Sequence, residues 1–151
     1  MEHPLIKIRK IKAEDLKSLA DLYKGFWNEN ASLPKMKKAF NKISKNPNYI
    51  ILTAYDKDRL IGTLMAVICD ELYGNCNPFA VIEDVIVNEN YRRQRVGSAL
   101  MKAAETALRK RNCKNILLIT DSNRIPAQRF YESLGYPHGT HKGYKKSLLK
   151  D

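Results

Sequence analysis

The sequence lacks any apolar run approaching the ~20 residues that a membrane helix needs. Its first twelve residues mix charge with single apolar side chains and form no leader-like apolar stretch, so the chain reads as cytoplasmic. Cysteine is scarce. Cys69, Cys76 and Cys113 are odd in number and irregular in spacing, which excludes a disulfide framework. The three histidines are His3, His138 and His141; only the last two lie close together, and no cysteine pair stands near them, so no metal site is expected. Neither Gly-x-x-x-x-Gly-Lys-Ser/Thr nor Gly-x-Gly-x-x-Gly occurs, which removes the two commonest phosphate-binding fingerprints. Repeats, low-complexity tracts and linkers are absent too. Acids are outnumbered, 16 against 27 Lys and Arg, leaving a formal charge of +11 that attracts polyanions, whether nucleic acid or a phosphate-rich ligand.

The 151 residues suffice for one domain, 1–151, and a hydrophobic fraction of 44% supplies its core without staples. Ile6 to Ile11 alternates apolar and basic residues, the pattern of a half-buried strand. Ala13-Glu14-Asp15 opens a helix with acids in its first turn, and Leu16, Leu19, Leu22, Tyr23 and Phe26 recur at helical spacing as its core face. Trp27 to Pro34 breaks the pattern. Pro34 starts a second helix with Met36, Phe40 and Ile43 on one face. Tyr49–Tyr55 and Leu60–Cys69 read as a hairpin around Asp56-Lys57-Asp58, and Phe79–Val87 as a third long strand after a loop from Asp70 to Pro78. A helix follows over Gly97–Arg111, then a short apolar strand over Ile116–Thr120. Pro126 starts a last helix ending near Gly135, and the tail around Tyr144 and Leu148-Leu149 reads as a final strand. The order β, α, α, β, β, β, α, β, α, β predicts a mixed α/β (α+β) domain: a central, mostly antiparallel sheet with one parallel strand pair and about four helices.

The segment richest in chemistry runs from Ile82 to Leu100. A β-branched strand leads into the basic turn Tyr91-Arg92-Arg93-Gln94-Arg95-Val96-Gly97-Ser98, and the turn leads into a helix. A helix N-terminus presents unpaired N–H groups and the positive end of the dipole, so anions bind there. Gly97 permits close approach of a phosphate, Ser98 offers a hydroxyl, and Arg92, Arg93 and Arg95 offer charge.

This segment resembles the pyrophosphate loop of the GNAT N-acetyltransferase superfamily, Gln/Arg-x-x-Gly-x-Gly/Ala, here Gln94-x-x-Gly97-x-Ala99. The stretch Asn123-x-x-x-Ala127-x-x-Phe130-Tyr131-x-x-x-Gly135-Tyr136 resembles the superfamily's next motif, at the expected separation. The resemblance implies acetyl-CoA as acetyl donor and a splay between the parallel strands that admits its pantetheine arm. It implies that the backbone of Val85, Ile86 and Val87 pairs with that arm, that Arg92, Arg93, Gln94, Arg95, Val96, Gly97 and Ser98 hold the pyrophosphate, and that Asn123 and Ala127 contact the cofactor from the other side. Many members carry glycine where this chain has Arg95, and the loop is expected to accept arginine in an ordinary φ region.

Tyr131 matches the superfamily's general acid, which protonates the departing thiolate. Glu83 is the candidate base, because alternation along the strand places it on one face with Val85 and turns Asp84 the other way. Trp27, Tyr73 and Asp84 are the candidate acceptor contacts. No cysteine occupies a motif position that would support an acyl-enzyme, so the implied reaction is direct attack by a primary amine of a small molecule or peptide in a ternary complex. Small members of the superfamily are often homodimers, though the sequence identifies no interface. Two other readings stand beside this one: an acetyl-CoA-binding sensor without turnover, and a basic nucleic-acid-binding module. The second lacks any RRM, KH or helix-turn-helix signature, so nucleic acid is not expected as the main partner.

Overall fold

A computed structural model describes residues 5–149, so His3 lies outside the described residues. Strand β1 (Ile6–Lys10) leads through a short 3-10 turn into helix α1 (Leu16–Trp27). Helix α2 (Leu33–Ile43) follows, then strands β2 (Tyr49–Asp56), β3 (Arg59–Cys69) and β4 (Phe79–Val87). Helix α3 (Val96–Lys110), strand β5 (Ile116–Leu117) and helix α4 (Ile125–Ser133) complete the order. The strands form one sheet in chain order, antiparallel from β1 to β4 and parallel between β4 and β5. This is the mixed α/β architecture expected from the sequence. The chain divides into two compact units, one running to Leu117 and one starting at Leu118.

Each element forms where its sequence directs. Helix α1 buries Leu16, Leu19 and Leu22 at helical spacing and ends at Asn28, whose left-handed backbone (φ 57°) lets its N–H donate to the Lys24 carbonyl. Helix α2 carries Pro34 in its first turn, where a missing N–H is harmless. The β2–β3 hairpin turns at Lys57, which takes a positive φ of 53°. Helix α3 buries Val96, Leu100, Met101, Ala104 and Leu108 along one stripe. Arg9 joins β1 to the start of α1 by holding the buried carboxylate of Asp15 at 2.7 and 2.8 Å.

Two expectations are corrected. The tail forms no strand: among the described residues, those after α4 carry no helix or strand, and Tyr144, Leu148 and Leu149 stand exposed. The run Tyr144-Lys145-Lys146-Ser147-Leu148-Leu149 lacks the strict alternation that would bury one face. Strand β5 spans two residues in place of five, and its pairing with β4 is confined to Ala80↔Ile116 and Val81↔Leu117. Strand β4 continues six residues beyond that pairing, to Val87.

The second half of β4 is irregular. Met65 pairs with Glu83, whereas Thr63 pairs with Ile86, so β4 holds one residue more than β3 between these pairs. This is a β-bulge, and Asp84 within it adopts a positive φ of 55°. Aspartate tolerates that region better than most residues.

Candidate functional site

The bulge resets which side chains share a face. Met65 and Thr63 lie two apart on β3 and face the same way, so their partners Glu83 and Ile86 share a face as well. Ile86 packs with Leu19 and Leu22, so this is the α1 face. Val87 pairs with Gly62, over which Val96 and Leu100 of α3 sit, so Val87 and Val85 look towards α3. The expectation that Glu83 and Val85 share a face is therefore overturned; simple alternation fails across an inserted residue. The Asp84 carboxylate acts electrostatically on Tyr23 of α1 and is half-buried, while Glu83 is exposed.

Burial raises the pKa of Asp84 above the ordinary carboxylate value. The Tyr23 phenol is pushed well above its ordinary value, first by burial and then by the charge of Asp84. Tyr23 in turn packs against Trp27, with ring centroids 5.1 Å apart, and Trp27 meets Phe26 edge-on at 5.3 Å. Trp27 remains 46% exposed. Asp84, Tyr23 and Trp27 thus form one acid–aromatic cluster between β4 and α1. Tyr23 reads in the sequence only as a core position; its hydroxyl was the sole hint of another role. Tyr73 is not part of this cluster. It lies in the loop before Phe79, which is five residues or roughly 17 Å of strand from Asp84, and the Lys114 ammonium sits 4.6 Å from its ring centre.

Beyond β4 the chain folds back on itself through short polar contacts. The Asn88 side chain accepts from the Asn90 N–H at 3.1 Å, and the Gln94 amide donates to the Asn90 carbonyl at 2.9 Å. Arg93 (φ 58°) and Arg95 (φ 64°) both take left-handed backbone. The expectation of an ordinary φ at Arg95 is corrected: arginine adopts here the conformation that glycine enters without strain. A left-handed residue beside a right-handed one, as Arg95 beside the helical Val96, can turn successive N–H groups towards one side, the geometry that suits an anion.

Arg95 is also the residue preceding α3, and its side chain makes no capping hydrogen bond. The first helical bond runs from the Ala99 N–H to the Arg95 carbonyl at 3.0 Å, so the N–H groups of Val96, Gly97 and Ser98 have no acceptor within the helix. No acid stands in the first turn, and Arg92, Arg93 and Arg95 are exposed. The residues present therefore fit a diphosphate.

In the second unit, the Gln128 amide donates to the Ser122 and Asp121 carbonyls at 2.8 and 3.4 Å and ties the start of α4 to the turn before it. Asn123 is exposed in that turn, and Ala127 is half-buried on the helix. Tyr131 is half-buried with its ring against Phe130 (5.2 Å) and Tyr136 (6.0 Å). The helix ends as the Tyr131 carbonyl accepts from Leu134 and Tyr136, with Gly135 at φ 90°. Among the described residues no cluster of His, Cys, Asp and Glu could hold a metal, and no helix is long and apolar enough to cross a membrane.

The mixed sheet, with its parallel β4–β5 pair and bulged β4, is that of the GNAT fold. The Acetyltransferase (GNAT) family model matches residues 16–136, and the chain belongs to that family. The probable glucosamine 6-phosphate N-acetyltransferase of Drosophila melanogaster is 28% identical over 141 residues, which is 88% of this chain and 61% of that protein. The chain thus spans less than two thirds of that relative's length. A transcriptional regulator from Bacillus halodurans is similar in structure, with a TM-score of 0.86 and 29% identity, over 95% of this chain and 99% of that one. The glucosamine-6-phosphate N-acetyltransferase of Arabidopsis thaliana shares the fold, with a TM-score of 0.79 and 19% identity, over 97% and 99% of the two chains.

Proposed function

We propose that this acetyltransferase uses acetyl-CoA to acetylate a primary amine of a small molecule or peptide, by direct attack in a ternary complex. The observation that carries the reading is the uncapped start of α3 beside the left-handed Arg93 and Arg95. Amides of Val96, Gly97 and Ser98 would hold the diphosphate with Gln94, Arg92, Arg93 and Arg95 around them. The backbone of Val85, Ile86 and Val87 would pair with the amide-rich pantetheine arm, since β4 runs on past its two pairs with β5. Asn123 and Ala127 would complete the cofactor contacts. When bound, acetyl-CoA supplies the carbonyl carbon that the amine attacks.

The chain's own side chains then move two protons. Tyr131 would donate one to the thiolate leaving group and recover it from the nitrogen, which sheds a second proton as the amide forms. The other leaves the amine, whose ammonium form has a pKa of about 10.4 and must lose a proton before it can attack. The β4 acids receive it. Asp84 is half-buried with a raised pKa, which suits a base better than an ordinary exposed carboxylate. Glu83, on the solvent side, would pass the proton outward through water. Trp27 and Tyr23 would wall the acceptor beside Asp84.

The relative from Drosophila, by its name, makes an amino sugar phosphate the first acceptor to try. The test is release of free thiol from acetyl-CoA with a panel of amino sugars, amino sugar phosphates, polyamines and amino-terminal peptides. Acetylated product with at least one of them supports turnover. Tight acetyl-CoA binding without turnover on any amine class would favour a sensor instead.

A further inference from the structure

Residues 30–55 carry five lysines, Lys35, Lys37, Lys38, Lys42 and Lys45, and neither a carboxylate nor any other cation. Four of them lie on or immediately beside one solvent-facing stripe of α2. Lys35, Lys38 and Lys42 follow at i, i+3 and i+7, and Lys45 continues that spacing just past the helix end. The apolar residues Met36, Phe40 and Ile43 follow the opposite stripe, and Met36 packs against the cluster of Leu19 and Leu22. The helix therefore turns its apolar side inward and its lysines outward. All five lysines are exposed, and among the described residues none of them is in an ion pair.

A lysine row without interspersed acids is costly to leave on a surface, because like charges at i, i+3 and i+4 repel. Its natural complement is a regular row of negative charge. Three lysines spread over roughly 10 Å of helix match about three phosphates of one nucleic-acid strand, where charges recur about every 3.4 Å of axis. A membrane surface fits less well. Surface-lying helices insert large apolar side chains, and among the described residues no exposed large apolar side chain belongs to α2.

We propose that α2 is a sequence-independent docking strip for the phosphate backbone of nucleic acid, separate from acetyl transfer. The strip would tether the enzyme to a nucleic-acid-rich surface while its site remains free.

The test is fluorescence anisotropy with a labelled mixed-sequence duplex, titrated at several salt concentrations. About three engaged phosphates contribute a slope of about −2.7 in log affinity against log salt, a loss on the order of 40-fold between 50 and 200 mM. The triple variant Lys35→Gln, Lys38→Gln, Lys42→Gln keeps helix propensity and should flatten the slope by about 2 to 3. The comparison variant Lys142→Gln, Lys145→Gln, Lys146→Gln removes the same charge from the tail and should keep a slope near that of the parent protein. Circular dichroism checks that both fold alike. Equal losses in both variants would show net charge alone at work and overturn the proposal. Absence of duplex binding by the parent protein would overturn it too, as would binding to phosphatidylserine-containing vesicles in place of the duplex.

Discussion

Gly62 of β3 lies directly against Ile86 of β4: a Cβ built on Gly62 would stand 3.0 Å from the Ile86 carbonyl oxygen. It would also stand 3.2 Å from side-chain atoms of Leu100 and Val96 at the start of α3. The absent side chain lets α3 descend onto the sheet next to the bulge. Replacing Gly62 by alanine must displace either the β4 backbone or α3, and overpacking of this kind costs about 1–3 kcal/mol. Gly62→Ala should lower the unfolding free energy measured in urea by that amount and weaken acetyl-CoA binding, because the helix start moves with it. Unchanged stability together with unchanged affinity would show that α3 is not seated by this contact.

The acid–aromatic cluster gives a pH-dependent prediction. Asp84 has a raised pKa in the folded chain, so its ionised form opposes folding. That cost is absent at acidic pH, where the carboxyl is protonated, and appears as pH rises through the raised value. Asp84→Asn keeps a residue that tolerates positive φ and removes the charge. It should raise Tm at neutral pH, gain nothing at acidic pH, and depress turnover. Glu83→Gln should move Tm little and alter the pH–rate profile less than Asp84→Asn does. A lower Tm for Asp84→Asn at neutral pH would contradict this account of the cluster.

A second carboxylate behaves in the opposite sense. Burial alone would raise the pKa of Asp15, but hydrogen bonds from Arg9, the Tyr55 hydroxyl and the Lys12 N–H outweigh it and hold the group at about 2, against an ordinary 3.8. A depressed carboxylate stabilises the fold above its unfolded pKa and loses that contribution as pH falls through 3.8 towards 2. The difference corresponds to about 2 kcal/mol. Tyr55, for its part, is raised to about 12, first by burial and then by its bond to Asp15. Arg9→Met leaves the buried Asp15 without its cation and should cost about 3–5 kcal/mol at neutral pH. It should also flatten the acid limb of stability. A variant as stable as the parent at pH 7 would show that the pair is not an anchor.

Tyr131→Phe isolates the proton donated to sulfur. Thiol release should fall by roughly 10²-fold or more, while calorimetric affinity for acetyl-CoA stays near that of the parent. Undiminished turnover with a confirmed acceptor would remove Tyr131 from the reaction.

Much of the fold is legible in the sequence because its signals are local. Helix α1 announces itself through Leu16, Leu19 and Leu22, the hairpin through Asp56-Lys57-Asp58, and the turn into α3 through the segment around Gln94 and Gly97. What the sequence hides is non-local. Period-2 alternation cannot foresee the bulge at Asp84, because an inserted residue is visible only against its partner strand, and the shared face expected for Glu83 and Val85 failed on that account. The left-handed φ of Arg95 is hidden for a related reason: arginine does not mark positive φ as glycine does. The tail at Leu148-Leu149 contains strand-forming residues but no alternation to fix a face, and it forms no strand.

The cofactor-binding claim is tested most directly by calorimetric titration of acetyl-CoA into the parent protein and into Gly97→Asp. A carboxylate at the helix start would face the diphosphate with like charge. Saturable binding at one site is expected for the parent, and at least 10-fold weaker binding for the variant. Equal affinity in the two proteins, or no binding by the parent at millimolar concentration, would contradict it.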